Sequence, residues 1–180
     1  KIQYFPALPD QATQAMQGVA TWMAGQAKAV AVYEKPFWRD GELSGDAMSR
    51  YGPLVEIHDA SPDKGGPFGL FGFVGVPADA RKDEQRLREL ILAQLARIFG
   101  GDAANPEHLY VEDWAYNANI STVADSAPQY AHSIYGMPRS LTNLWNGKLL
   151  FGGTEVATEF GGYVEGALEA AEHVIRRIND

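Results

Sequence analysis

Apolar residues Leu87, Leu90, Ile91, Leu95 and Ile98 recur in steps of three and four along residues 83–99, and Gly100-Gly101 follows them. That spacing puts them on one face, so the pattern predicts an amphipathic helix stopped by glycine. From Gly162 onward Val164, Ala167, Leu168, Ala171, Val174, Ile175 and Ile178 repeat the same rhythm and predict a terminal helix. A short surface helix is expected over 11–17, with Pro9 and Asp10 at its amino end and Gly18 as its stop. Period-two and short apolar runs predict strands at 27–33, 54–58, 68–76, 108–113 and 148–151. Turn clusters at Asp40-Gly41, Ser44-Gly45 and 61–67 separate the early strands, which read as an antiparallel sheet. Residues 115–136 are rich in Asn, Ser, Ala and Tyr without periodicity and read as a long functional loop or lining segment. The expected class is α+β, an antiparallel-rich mixed sheet with flanking helices and a C-terminal helix.

Composition narrows the functions. With 180 residues, 46% apolar and 21% charged, the chain is an ordinary globular sequence rather than a disordered tail. Fifteen basic against 23 acidic residues leave a formal charge of −8, which argues against nucleic-acid or anionic-membrane partners. No apolar run approaches the ~20 residues that a membrane span needs. There is no cysteine, so disulfides, thiolate metal sites and cysteine-linked cofactors are excluded, and a cytoplasmic location is the expectation. The chain opens without methionine on residues that read as the end of a strand or loop, so upstream sequence is expected to be missing.

Several chemistries drop out. His58, His108, His132 and His173 form no helical pair and no cluster with acids, so no metal site is expected. No Gly-x-Ser-x-Gly elbow exists, and Asp125-Ser126 is a generic polar pair. Gly66, Gly69, Gly72 and Gly75 recur every third residue in a strand, unlike a dinucleotide or P-loop glycine motif. The aromatic residues, among them Trp22, Phe37, Trp38, Tyr116, Tyr130, Tyr135 and Trp145, are expected mostly in the core.

Two features stand out. Residues 149–166 run strand, Gly-Gly-Thr-Glu, short loop, Gly-Gly-Tyr-Val-Glu-Gly, helix. Gly161-Gly162 would let a ligand approach the backbone, and the first helical N–H groups would favour negative charge. The same residues also suit plain turn glycines with Glu155 and Glu165 as solvated acids. Lys28 stands in a strand otherwise built from Ala, Val and Tyr. Either it is partly desolvated and chemically used, or it snorkels to solvent from an edge strand.

The segment 149–172, LLFGGTEVATEFGGYVEGALEAAE, resembles the C-terminal signature of flavin-containing amine oxidases, the monoamine oxidase-like enzymes. Residues 25–39, GQAKAVAVYEKPFWR, resemble the strand of that family that carries a lysine beside the flavin. Asp59-Ala-Ser-Pro-Asp63 and Glu112-Asp-Trp114 fall in the expected order between them, so the resemblance runs from about residue 2 to 178.

The resemblance implies the following. Residues 1–145 would form a substrate-binding domain, and 146–180 a flavin-contacting strand and helix within the same compact unit. The enzyme would oxidise an amine to an imine and reduce oxygen to hydrogen peroxide, with FAD as cofactor. Lys28 matches the lysine that holds a water at flavin N5, and Tyr163 one wall of the aromatic cage that guides the amine. Gly162, Tyr163 and Val164 would aim the helix N-terminus at the pyrimidine end of the flavin. Gly153, Thr154 and Glu155 lie where the family contacts the ribityl-diphosphate part, and Trp114 matches a tryptophan near the ring.

Thr122-Val123-Ala124 supplies neither the second cage tyrosine nor the cysteine found in many relatives, so binding would be noncovalent and the cage at most half complete. The family's N-terminal dinucleotide-binding βαβ unit is not among these residues and becomes an expected partner, from the same protein or a separate chain. Homo-oligomerisation is left open. The alternative reading is a noncatalytic remnant or binding module that keeps the fold without binding FAD by itself.

Overall fold

A computed structural model describes residues 2–19, 21–126 and 133–179. Two compact units emerge, Met23–Gln129, and Lys1–Trp22 with Tyr130–Asp180. These limits run across the expected boundary at 145/146, because the first helix shares a core with residues on both sides of it.

In the unit Met23–Gln129 a five-stranded sheet has the order β2-β3-β4-β1-β5. The strands are β1 (Ala27–Tyr33), β2 (Ala47–Met48), β3 (Leu54–Asp59), β4 (Phe68–Val74) and β5 (His108–Asp113), and every pairing is antiparallel. The α+β expectation holds. Strict alternation in β1 buries Ala27, Ala29, Ala31 and Tyr33 on one face and leaves Lys28, Val30 and Val32 half-buried on the other. On the buried face Leu54, Ile57, Leu70 and Val74 join Leu87, Ile91, Leu95 and Phe99 of a helix (Glu84–Phe99) in one core. Numbering helices in chain order, this one is α3, after α1 (Asp10–Gln17) and the single turn α2 (Phe37–Asp40). Asp83 caps it by accepting from the Arg86 amide at 2.9 Å, and Gly100 ends it at a φ of 99° that disfavours any residue with a Cβ.

The weak alternation of residues 54–58 has a physical cause. The register slips between Leu54 and Glu56, so Val55 is an extra residue in β3. After the bulge Ile57 still points to the core, while Glu56 and His58 lie opposite Phe73 and Phe71 on the same face as Lys28. The start of β3, just before the bulge, is tied to α3 by a buried side chain. Gln94 Nε2 donates to the Leu54 carbonyl at 2.7 Å, and Gln94 Oε1 accepts from the Leu54 amide at 2.8 Å.

In the other unit α1 packs with the 3-10 turns Arg139–Leu141 and Leu144–Gly147, its Ala12 buried with Leu141 and Leu144. The strand expected at 148–151 is not formed. Leu149 and Phe151 instead lean on that small cluster, and no strand lies among the described residues of this unit to offer a pairing edge. The C-terminal helix, α4, runs Val164–Asn179 as expected. Residues 114–116 and 123–126 of the predicted long loop are short 3-10 turns. Residues 127–132 of that loop, Tyr130 and His132 included, lie outside the described residues.

Gln94→Leu keeps the side-chain bulk and strands both backbone groups of Leu54. Burying two unpaired backbone groups should cost this unit about 2–4 kcal/mol. The check is a lower urea midpoint with an unchanged slope; an unmoved midpoint would mean that Leu54 finds other partners.

Candidate functional site

Lys28 is in β1, an interior strand flanked by β4 and β5, not at an edge, and its neighbours are set by register. Phe73 of β4 and Glu112 of β5 lie directly opposite it, and Glu56 lies opposite Phe73. One row on the open face thus reads Glu56, Phe73, Lys28, Glu112, and the next reads His58, Phe71, Val30, Tyr110. The Lys28 ammonium stands 4.9 Å from the centroid of Phe73, 5.4 Å from Trp114 and 5.7 Å from Phe71. Three π-faces stabilise the cation, and among the described residues no carboxylate forms an ion pair with it. The acids on its row are engaged elsewhere, since Glu112 accepts from Asn117 Nδ2 at 3.3 Å and Glu56 pairs with His58. Lys28 and Trp114, expected to share a site, are brought together.

Trp114 opens a 3-10 turn, Trp114–Tyr116, at the end of β5. Its amide donates to the Gln26 carbonyl at 3.1 Å, which extends the β1–β5 ladder by one step. Asp113 Oδ1 accepts from the Ala115 amide at 3.1 Å and caps the turn. Ser121 Oγ is within hydrogen-bond reach of the Trp114 carbonyl at 2.6 Å and the Ala24 carbonyl at 3.0 Å.

The remaining expected site residues gather in the unit that holds α4. Thr154 is the fastener: its Oγ1 donates to the Tyr163 carbonyl at 2.8 Å and accepts from the Gly162 amide at 2.8 Å. Gly166 packs so tightly that a Cβ there would stand 2.1 Å from the Phe160 carbonyl oxygen and 2.7 Å from Thr154 Oγ1. Gly162 takes a φ of 85°, a conformation that suits glycine, and releases the chain into α4. Ala167 is the residue whose amide closes onto the Tyr163 carbonyl at 3.2 Å, so the amides of Val164, Glu165 and Gly166 form the open first turn. Tyr163 and Val164 are exposed there. Glu155 is exposed, its carbonyl accepting from the Gly136 amide at 2.9 Å, and Gly153 lies beside the Glu155 carboxylate.

The space that Gly161-Gly162 leaves is filled from within the chain. Cβ atoms on these glycines would stand 2.2 Å from Tyr135 Cβ and 2.4 Å from the Tyr135 hydroxyl. The close approach expected of a ligand is therefore made by the Tyr135 ring. Its hydroxyl is buried and has no hydrogen-bond partner among the described residues.

Three polar devices were not legible from sequence. Glu169 of α4 accepts from Thr158 Oγ1 at 2.7 Å and from the amides of Thr158, Phe160 and Glu159 at 2.8, 3.2 and 3.3 Å. The Thr158 hydroxyl and amide first, then the other amides, outweigh the desolvation that opposes them and hold the carboxyl down at about 2. His58 is gripped by Glu56 Oε1 at 2.7 Å and Asp46 Oδ1 at 2.8 Å; those two bonds raise its pKa above the usual imidazole value. Arg81 is buried beside Asp113. Each device joins residues from different elements or through a register, so no local motif announces it.

A family model described as flavin containing amine oxidoreductase matches residues 1–179. The chain belongs to that family. It is 29% identical to the flavin-containing amine oxidase B of Sus scrofa, over 99% of this chain and 35% of that protein. It is 30% identical to a Mycobacterium tuberculosis protein named as the flavin-containing monoamine oxidase AofH, over 98% of this chain and 38% of the other. A solved putrescine oxidase bound to putrescine superposes with a TM-score of 0.69 at 26% identity, over 99% of this chain and 40% of that one. The chain thus spans well under half the length of these family members.

A carboxylate whose pKa is depressed in the folded chain adds stability that is complete above its unfolded value and disappears as pH falls through the folded one. For Glu169 that window runs from about 4.5 down to about 2. Carbon-detected NMR should find its titration midpoint near 2 in this chain, and Thr158→Ala should raise it. A midpoint at the ordinary glutamate value would show that the four donors do not hold it.

Proposed function

We propose that these residues form the flavin-ring and substrate side of an FAD-dependent amine oxidase. The observation that carries this reading is the Lys28 ammonium, set among Phe71, Phe73 and Trp114 on the open face of the sheet, in a chain matched by the family almost end to end. When bound, FAD would supply two-electron chemistry, in which an amine and oxygen become an imine and hydrogen peroxide.

The residues fit that cofactor at two places and meet it less well at a third. Among the described residues no hydrogen bond takes up Lys28 Nζ, which suits it to hold a water, the role proposed for it at flavin N5. The open first turn of α4 offers N–H groups, that of Val164 among them, suited to negative charge on the pyrimidine end. Exposed Tyr163 is available as a wall of the amine path. The glycine pair beside it, however, is covered by Tyr135. Binding would be noncovalent, since the sequence has no cysteine to form a thioether. Trp114, Gly153, Thr154, Glu155 and Gly162 are proposed as further flavin contacts.

The rest of the FAD site would come from a dinucleotide-binding part, of the same protein or of a separate chain. Val164, Leu168, Ile175 and Ile178 support such a partner. They are exposed along α4, at positions that with Ala171 step by four and three. A cytoplasmic location belongs to the same proposal; among the described residues no helix is long and apolar enough to cross a membrane. Tyr135 over the glycine pair favours the second reading, a noncatalytic module that keeps the fold without taking up FAD.

The test begins with flavin absorbance of the purified chain, alone and with an FAD-binding part supplied. Yellow protein that turns over amine and oxygen supports the oxidase; protein that stays colourless in both cases supports the noncatalytic module. In the assembled enzyme Lys28→Met should slow reoxidation by oxygen about tenfold or more while changing flavin reduction by less than about twofold. Unchanged reoxidation would remove Lys28 from the site.

A further inference from the structure

Arg81 ends the 3-10 turn Ala78–Arg81 and is buried. Its Nε donates to Asp113 Oδ2 at 2.6 Å and its Nη2 to Asp113 Oδ1 at 2.8 Å, a two-pronged pair. The same guanidinium also donates from Nη2 to the Gly25 carbonyl at 2.8 Å and from Nη1 to the Val76 carbonyl. These acceptors end or flank three strands at one end of the sheet. Gly25 precedes β1, Val76 follows β4, and Asp113 ends β5.

The register says what that end carries. Ala27 lies opposite Val74 on one side and Asp113 on the other, and the next row inward is Phe73, Lys28, Glu112. One guanidinium therefore pins the three chains that present Phe73, Lys28 and Trp114. The Trp114 turn is held to it twice more. Asp113 caps that turn through the Ala115 amide, and the Tyr116 hydroxyl donates to the Ala78 carbonyl, in Arg81's own turn, at 2.6 Å.

We propose that Arg81 is the positioning residue of the Lys28–Trp114 pair: through Asp113 and the carbonyls of Gly25 and Val76 it fixes the Trp114 ring over the lysine ammonium. Lysine cannot replace it, because a single ammonium does not provide a planar fork with donors in three directions. The relevance to amine oxidation rests on the function proposed above for Lys28. The side-chain geometry does not, and it can be tested without flavin.

The experiment uses the full chain, uniformly labelled for NMR and separately labelled with 5-fluorotryptophan, which gives one signal for each of its four tryptophans. In the parent chain the ε-CH2 protons of Lys28 should be displaced upfield by three rings. Arg81→Lys should reduce that displacement by about a third, as one ring of three is lost. It should also move or broaden the Trp114 fluorine signal, while Trp38, in the core of the same unit, keeps its own. Should Arg81→Lys fail to fold, Asp113→Asn serves, since it keeps an oxygen for the Ala115 amide and loses the charge that the guanidinium grips. Parent-like Lys28 and Trp114 signals in a folded variant would overturn the proposal. So would equal displacement of the Trp38 signal, which would make Arg81 a support of the whole unit and not of this pair. Because no flavin is present, failure here is separate from failure of the oxidase reading.

Discussion

Pairing of β1 along both its edges is the constraint from which the rest of the larger unit follows. A strand hydrogen-bonded to β4 and β5 at once cannot slip by one residue without turning its alanines to the open face and Lys28 into the core. The alanines at 27, 29 and 31 are buried in one core with the apolar side chains of α3, and their burial holds the register. Lys28 is carried to the opposite face by that same alternation. Its exposure to aromatic rings is thus a consequence of how the core packs, and the cation needs no local motif to be placed.

The bulge in β3 extends this logic to the acids. Without the bulge, with Val55 paired in register, Leu54 and Glu56 would share a face, and a carboxylate would enter the core. With it, Glu56 and His58 join the open face and Ile57 fills the core. The open face consequently carries a cation among rings near its centre and a histidine–carboxylate group toward one edge. Glu56 is bound to His58, and the contacts of the Lys28 ammonium on this face are with the rings of Phe71, Phe73 and Trp114.

Much of this was legible in the chain because it is periodic. The helix at 84–99 and the strand at 27–33 each bury one face, and a buried face writes a period into the sequence; the strand at 108–113 alternates half-buried with exposed residues, and the apolar stripe of the helix at 164–179 is periodic though largely exposed. Residues 148–151 failed as a strand for the complementary reason: their apolar run is real, but it is satisfied by packing on α1 and a 3-10 turn, which leave no such period. The candidate site stood out in the sequence where a single residue breaks a pattern, as Lys28 does, or where glycines cluster, as at 161–162. What periodicity could not reveal is which group occupies the space that those glycines open, and in this structure it is the Tyr135 ring, twenty-six residues earlier in the chain. Arg81 and Asp113 were hidden for a related reason, being thirty-two residues apart and meaningful only once three strand ends converge.

That convergence explains why a buried ion pair is placed where it is. A buried pair seldom adds much stability over well-packed apolar residues, because the desolvation cost offsets the attraction. Here the guanidinium does something apolar residues cannot: it satisfies two backbone carbonyls at strand ends, where the sheet ladder has run out of partners, and a carboxylate that caps the next turn. Alanine-rich β1 offers few large side chains to lock its own start. Directional hydrogen bonds therefore set the geometry at the end of the sheet that presents Lys28, and hydrophobic packing sets it in the core beneath. The position of the ammonium depends on both, which is why a residue that lies off the open face can control what that face presents.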